Sequence, residues 1–292
     1  MPSPRRHHFI PQFIIREFTD PDGYVWKYDK NKPQHGIERC TPKGVHWERH
    51  LYSNVAPDGK KDPRLELALA RAESKWSSTL KPIIDAIRAG VSPEIGNATR
   101  ATITEYFYNQ YRRVPDRITT AATKFVTQGR LQALVDRRAA TDPMFASLQE
   151  DGLSNEMVAR IRKNAANIAL MGDWEAVRLV LNKKSLFFAR ISSPNCSFVL
   201  GSNPIGRFGD PGDRHLAHPS IELSMPIASD IALGFTSDGG DAHFYPVEHR
   251  EVVRSQNLSM FDRSSAVCSR SRELIESLAG PHIRQHKAAK QT

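Results

Sequence analysis

Two arginines followed by two histidines, Arg5-Arg6-His7-His8, run directly into Phe9-Ile10-Pro11-Gln12-Phe13 near the start of the chain. A neutral imidazole serves as metal ligand or general base near neutral pH, and neighbouring guanidiniums grip phosphate in a bidentate way. In an extended segment successive side chains face opposite sides, so one of His7 and His8 turns inward and the other outward. The apolar Phe13, Ile14 and Ile15 that follow mark a segment that is buried or bound.

Other chemistry-bearing residues lie further along. Glu66 and Glu73 are seven apart, which on a helix puts them on nearly one face, about 10 Å apart along the axis. With a histidine from the N-terminal segment they can frame a divalent-metal site (Mg or Mn) of the kind that hydrolyses phosphodiesters. The plainer alternative pairs them with Arg64 and Arg71 on a solvated helix face. Gln110, Arg113 and Arg117 form a second cluster, in which Pro115 breaks the helix and re-aims Arg117. Two guanidiniums near a helix end suit a phosphate or carboxylate, and equally an internal network. Ser202-Asn203-Pro204 follows a strand, where Asn203 holds a turn or a ligand and Ser202 lacks the second glycine of a nucleophile elbow. Gln12, Gln110, Arg113, Arg117, Ser202 and Asn203 are thus the candidate ligand- or phosphate-binding residues, and His7, His8, Glu66 and Glu73 the candidate catalytic ones.

Two sharper motifs fail on spacing. A His-Asn-His nuclease hairpin needs a histidine soon after its asparagine, whereas Asn54 has none and His46 and His50 come too early. Gly209 and Gly212 are not followed by the Gly-Lys-Ser/Thr ending of a phosphate loop. The aromatics Tyr106, Phe107, Tyr108 and Tyr111 can stack bases, but at helical spacing they read first as core.

The elements that must position these residues fall into three regions of a single domain spanning 1–292. Over 7–55 the chain is mixed. Thr19-Asp20-Pro21-Asp22-Gly23 is dense turn chemistry ahead of the alternating Tyr24-Val25-Trp26-Lys27-Tyr28, which predicts a hairpin. From 63 to 182 apolar residues recur at helical spacing, predicting helices from Pro63 to Gly90 and over 98–113, 116–139, 154–170 and 173–182, with a turn at Thr141-Asp142-Pro143. From 185 to 279 short strands alternate with Gly, Pro and Asp turns: Leu186–Ile191, Ser197–Leu200, Ile221–Ile227 and Ile231–Phe235. Val252, Val253 and Ala266–Ser269 fit the same lobe, closed by a helix over 271–279. The class is α+β, with a β-containing N-terminal segment, a helical middle and a C-terminal mixed or antiparallel sheet lobe.

Composition sets the setting. The 292 residues are 39% hydrophobic, enough for a core, and carry 41 Lys+Arg against 32 Asp+Glu. That excess favours a nucleic acid or another anionic ligand. The basic tail from Arg284 to Lys290 reads as a solvated end. Cys40, Cys196 and Cys268 are too scattered for a zinc ribbon or disulfide framework. No apolar run is long enough for a membrane span and no signal-peptide pattern opens the chain, so the expected location is cytoplasmic, without a membrane partner.

The stretch His7-His8-Phe9-Ile10-Pro11-Gln12-Phe13-Ile14-Ile15-Arg16-Glu17-Phe18 resembles the opening motif of a mostly bacterial family catalogued as domain of unknown function 4238. Further landmarks recur in order: Lys27-Tyr28-Asp29-Lys30, Arg39 with Pro42 and Lys43, Glu48 and Tyr52, Glu66 and Glu73, Gln110 with Arg113, Pro115 and Arg117, then Pro226 and Asn257. The resemblance implies Ser-Asp-Asn-Pro after a C-terminal strand; this chain has Gly201-Ser202-Asn203-Pro204. The missing carboxylate is either a turn-capping group that serine replaces or a chemical change. The family implies no reaction. The residues themselves lead to the expectation of a nucleic-acid-processing hydrolase, nuclease or phosphodiesterase-like, in the setting of a toxin or defence effector. The alternative is a non-catalytic nucleic-acid- or ligand-binding protein whose His, Glu, Gln and Arg landmarks form a structural network.

Overall fold

The computed structural model describes residues 5–172, 175–209, 216–236, 240 and 242–289. The chain opens with β1 (Arg6–His8), α1 (Gln12–Arg16), β2 (Val25–Asp29), β3 (Ile37–Cys40), β4 (Trp47–Arg49), β5 (Asn54–Val55) and β6 (Lys61–Asp62). Helices follow: α2 (Arg64–Arg88), α3 (Asn97–Arg112), α4 (Pro115–Phe125), α5 (Gln128–Ala139), α6 (Pro143–Asp151), α7 (Asn155–Met171) and α8 (Glu175–Asn182). The last part carries β7 (Ser185–Ile191), β8 (Leu200–Gly201), β9 (Gly206–Phe208), β10 (Glu222–Pro226), β11 (Ile231–Thr236), β12 (His243–Val247), α9 (Arg250–Arg263), β13 (Ala266–Ser269) and α10 (Arg272–Ala289). The fold is α+β, in the order expected. Residues 173 and 174 of the helix expected over 173–182, Gly212 and Lys290 lie outside the described residues.

Two compact units share the chain. A helical unit takes residues 5–7, 49–71 and 112–172, and a sheet unit takes 8–48, 72–111 and the described residues after 174.

In the sheet unit, one sheet has the order β12-β7-β11-β10-β9 and the other β3-β2-β13-β8. The second sheet joins the first and last parts of the sequence: β13 lies antiparallel to β2, with Cys268 opposite Lys27, and β2 lies antiparallel to β3. A turn forms where turn chemistry is densest, but it joins α1 to β2, and the hairpin is made one strand later, by β2 and β3. The Asp20 carboxylate accepts the Asp22 and Tyr24 amides, and Gly23 sits at φ +83, a region only glycine enters freely. Strand β11 is buried along its whole length, matching its unbroken apolar run. Gly234 is needed there, because a Cβ would meet the Leu223 carbonyl at 2.3 Å and the Phe187 ring at 2.4 Å. Tyr28, Val199, Phe261, Val267, Ile275 and Leu278 form the core under α9 and α10.

The helical unit is built from capped helices. The side chains of Thr127, Asp142 and Ser154 accept backbone N–H groups of Arg130, Met144 and Met157 at the starts of α5, α6 and α7, meeting donors that a helix start leaves unpaired. The Thr127 cap is why the single helix expected over 116–139 is two, α4 and α5. The Thr141-Asp142-Pro143 turn is also a helix start: Asp142 caps α6, which periodicity alone did not reveal. Two differences fall in the sheet unit. Val252 and Val253, with β-branched side chains suited to a strand, lie in α9, where Val253 faces the core and Val252 is exposed. Of Ser197–Leu200, only Leu200 joins a ladder.

Candidate functional site

In β1, His7 is fully buried and His8 half-buried, the alternation an extended segment demands. The Nδ1 atom of His7 accepts the Tyr52 backbone N–H at 3.0 Å, and the two rings stack with centroids 5.8 Å apart. Glu66 Oε2 stands 3.4 Å from the same Nδ1. Both partners cannot use that atom in one protonation state: an amide donor requires its lone pair, an ion pair requires its proton. The shorter contact belongs to the amide, which is always a donor, so the ring is neutral with its proton on Nε2. Tyr52 is itself fully buried; its hydroxyl donates to the Arg113 carbonyl at 2.9 Å and accepts from Arg113 Nε at 3.3 Å. Arg113 is only 1% exposed and holds the Tyr52 hydroxyl through both Nε and its own carbonyl. Burial of that kind persists only with hydrogen-bond partners.

The remaining sequence-derived residues are divided between the two units. Glu66 and Glu73 share α2 as expected, but Glu66 belongs to the helical unit and Glu73 to the sheet unit. Arg117 is half-buried in the first turn of α4. In the sheet unit, buried Gln110 donates from Nε2 to the Phe9 carbonyl at 2.9 Å, and Gln12 Nε2 lies 3.4 Å from His8 Nδ1. Asn203 contributes backbone contacts: its N–H donates to Ser264 Oγ and its carbonyl accepts from Arg263 Nε at 3.0 Å. Ser202 Oγ accepts the backbone N–H groups of Ser265 (3.0 Å) and Ala266 (3.3 Å), tying the end of β8 to the start of β13. A carboxylate at this position can accept the same two amides, so the serine serves as a turn-binding acceptor. Among the described residues no group of three or more His, Cys, Asp or Glu side chains can hold a metal ion.

A different set of residues surrounds an open cleft. Within the sheet unit a cleft of about 1270 Å³ is lined by α1, the end of α2, the segment after β7, the turn before β11, one face of α9 and the start of α10. Seven arginines line it against three carboxylates. Two of those carboxylates are spent. Arg88 donates to Glu17 Oε2 at 2.6 Å and to Asp230 Oδ1 at 2.7 Å. The bonds to Asp230, and secondarily to Glu17, push its guanidinium further up despite partial burial. Arg190 donates to the Ile87 carbonyl, and Arg272 reaches Glu276 while its guanidinium lies 5.3 Å from the Trp26 ring centre. Arg16, Arg250, Arg254 and Arg270 are exposed and have no ion-pair partner among the described residues. Arg250 and Arg254 are one turn apart on α9, a like-charge arrangement that costs a helix about 0.2–0.5 kcal/mol unless something anionic offsets it.

Asn257, also on α9, positions one wall. Its Oδ1 accepts the Val199 amide at 3.0 Å and its Nδ2 donates to the Ser197 carbonyl at 2.9 Å, fixing the segment that carries Ser192, Ser193, Asn195 and Cys196 into the lining. These arginines escaped the motif reading because they come from distant stretches of sequence. The signal available was the pair of local runs, Arg250 with Arg254 and Arg270 with Arg272.

A family model matches residues 6–276 of the 292-residue chain. The chain belongs to the family described as Protein of unknown function (DUF4238). The match covers both units, including the His7–Tyr52–Arg113 contacts and all the arginines of the cleft. No curated protein and no solved structure matches the chain.

Proposed function

We propose that this member of the family is a binding protein for phosphate-bearing anions, and that the sheet-unit cleft is its binding surface. The observation that carries the reading is the set of four exposed guanidiniums facing one cleft while the nearby Glu17 and Asp230 are consumed by Arg88. Arginine forks match phosphate oxygens bidentately, and uncompensated charge in a concave site focuses the field on an incoming anion. The His, Gln and Arg landmarks then serve the fold.

Thermal unfolding at low ionic strength, with phosphate, tripolyphosphate and a single-stranded oligonucleotide added in turn, tests the reading. At least one anion raises the midpoint of the wild-type chain, and the double substitution Arg250→Gln, Arg254→Gln removes most of that shift. If no anion stabilises the chain, the reading is wrong.

Hydrolysis of nucleic acid is the second reading, supported by the 3.4 Å approach of Glu66 to His7. Against it stand the complete burial of His7 and the use of its Nδ1 lone pair by the Tyr52 amide, since a general base needs a lone pair within reach of substrate. Cleavage of DNA or RNA in the presence of Mg²⁺ or Mn²⁺, abolished by His7→Ala in a chain that still folds, would favour hydrolysis.

A further inference from the structure

The lining of the cleft separates two kinds of phosphate ligand. Proteins that hold single-stranded nucleic acid combine a basic track with aromatic side chains on which successive bases stack. Here Trp26 is the one aromatic residue in the described lining, and guanidiniums take its ring: Arg272 at 5.3 Å and Arg39 at 5.8 Å from the ring centre. The remainder of the wall offers hydroxyl and amide groups, notably Ser192, Ser193 and Asn195. The start of the 18-residue helix α10 also enters the lining, through Ser271 just before it and through Arg272 and Glu273 in its first turn, where the Glu273 carboxylate offsets the partial positive charge of the helix start.

Charge is concentrated from several directions rather than laid out along a track. Arg16 comes from α1, Arg250 and Arg254 from α9 and Arg270 from the link between β13 and α10. Convergent guanidiniums with no free base-stacking surface recognise phosphate oxygens crowded on a small molecule. Resting on the anion-binding reading above, we propose that the cleft takes a compact ligand with clustered phosphates, of the nucleoside-polyphosphate, sugar-polyphosphate or inorganic-polyphosphate class, and grips the phosphates instead of a base or a polymer backbone.

Isothermal titration of the full chain at fixed ionic strength, with inorganic tripolyphosphate, orthophosphate and an oligothymidylate of matched total charge, provides the test. Tripolyphosphate binds at least tenfold tighter than either of the others, and Arg254→Gln weakens it at least tenfold. Arg254→Lys, which keeps the charge and loses the fork, recovers only part of the affinity. Arg270→Gln gives the same loss from a different element, so a folding defect in one variant leaves the other to decide; circular dichroism and the unfolding midpoint verify each. Equal or tighter binding of the oligothymidylate overturns the inference while leaving the anion cleft standing. Equal binding of orthophosphate overturns it as well, by showing that clustering of phosphates carries no weight. Tripolyphosphate binding that survives both glutamine substitutions overturns it by placing the ligand elsewhere. Absence of binding by all three overturns it together with the reading on which it rests.

Discussion

Arg113 of the helical unit and the arginine pair on α9 of the sheet unit are used in opposite ways. Arg113 is buried, with Nε on the Tyr52 hydroxyl and its own carbonyl accepting that hydroxyl's proton. Arg250 and Arg254 stand exposed on one face of α9, without ion-pair partners among the described residues. A guanidinium enclosed by protein is out of reach of a ligand arriving from water. One that remains in water keeps its donors for whatever arrives. The same contrast applies to histidine, since His7 answers the Tyr52 amide. Residue type alone therefore does not locate function; the bonding state of the side chain does.

The sharpest way to break this comparison is to exchange the effects of the two arginines. Arg113→Ala is expected to cost about 3 kcal/mol of unfolding free energy in urea, as removal of a large buried polar side chain does. The anion-dependent rise in melting temperature persists in the folded fraction. Arg254→Gln should leave the urea midpoint nearly unchanged and reduce the anion response. If Arg113→Ala instead abolished anion binding without loss of stability, the division between the units would fail.

A smaller effect sharpens the rule within the sheet unit, where His46 is buried and donates from Nε2 to the Leu200 carbonyl at 3.3 Å. Burial, the leading cause, pushes its imidazole down to about 3, against about 6.5 for a histidine in an unfolded chain. Between those values the unfolded state binds a proton that the folded state refuses. The contribution of His46 is therefore complete above about pH 6.5 and is lost as the pH falls toward 3, with a slope of at most about 1.4 kcal/mol per pH unit. His46→Asn, chosen because asparagine tolerates the φ of +51 at this position, should flatten urea midpoints measured between pH 6.5 and 4. An unchanged slope would remove His46 from the account.

The least disruptive change is at Ser202. Ser202→Ala deprives the Ser265 and Ala266 amides of their shared acceptor and is expected to cost about 1–2 kcal/mol. Ser202→Asp supplies a carboxylate to the same amides and should stay within about 1 kcal/mol of the parent, read from urea midpoints. A large gain of hydrolytic activity in the aspartate variant, with no loss in the alanine one, would assign that position to chemistry instead of to the turn.

Much of the architecture was legible because it depends on local physics. The turn at Asp20–Gly23 follows from carboxylate-to-amide bonding and a left-handed glycine; the strands around Val25, Leu186 and Ile231 follow from alternation or unbroken apolar runs; α2, α3 and α7 follow from helical spacing. The inward turn of one histidine in His7-His8 needed only the two-residue repeat of a strand. Boundaries failed where one side chain outweighed periodicity. Thr127 capped a new helix in the middle of an apolar pattern, Asp142 started one behind a turn, and Val252 and Val253 accepted helical backbone because Val253 gained a place in the core.

The sequence by itself determined the α+β order of elements, the basic charge and the family to which the chain belongs, since propensity, periodicity and composition act over a few residues or over the chain as a whole. The tertiary structure decided which of its arginines and histidines are spoken for. It buried His7 and Arg113 around Tyr52, and it gathered Arg16, Arg250, Arg254 and Arg270 into one cleft from stretches up to 254 residues apart in number, 16 to 270. That convergence depends on β13 pairing with β2 and on α9 packing beneath the same sheet. No local pattern encodes it, because the energy that brings those segments together is the burial of Tyr28, Phe261, Val267 and their neighbours, not any property of the arginines.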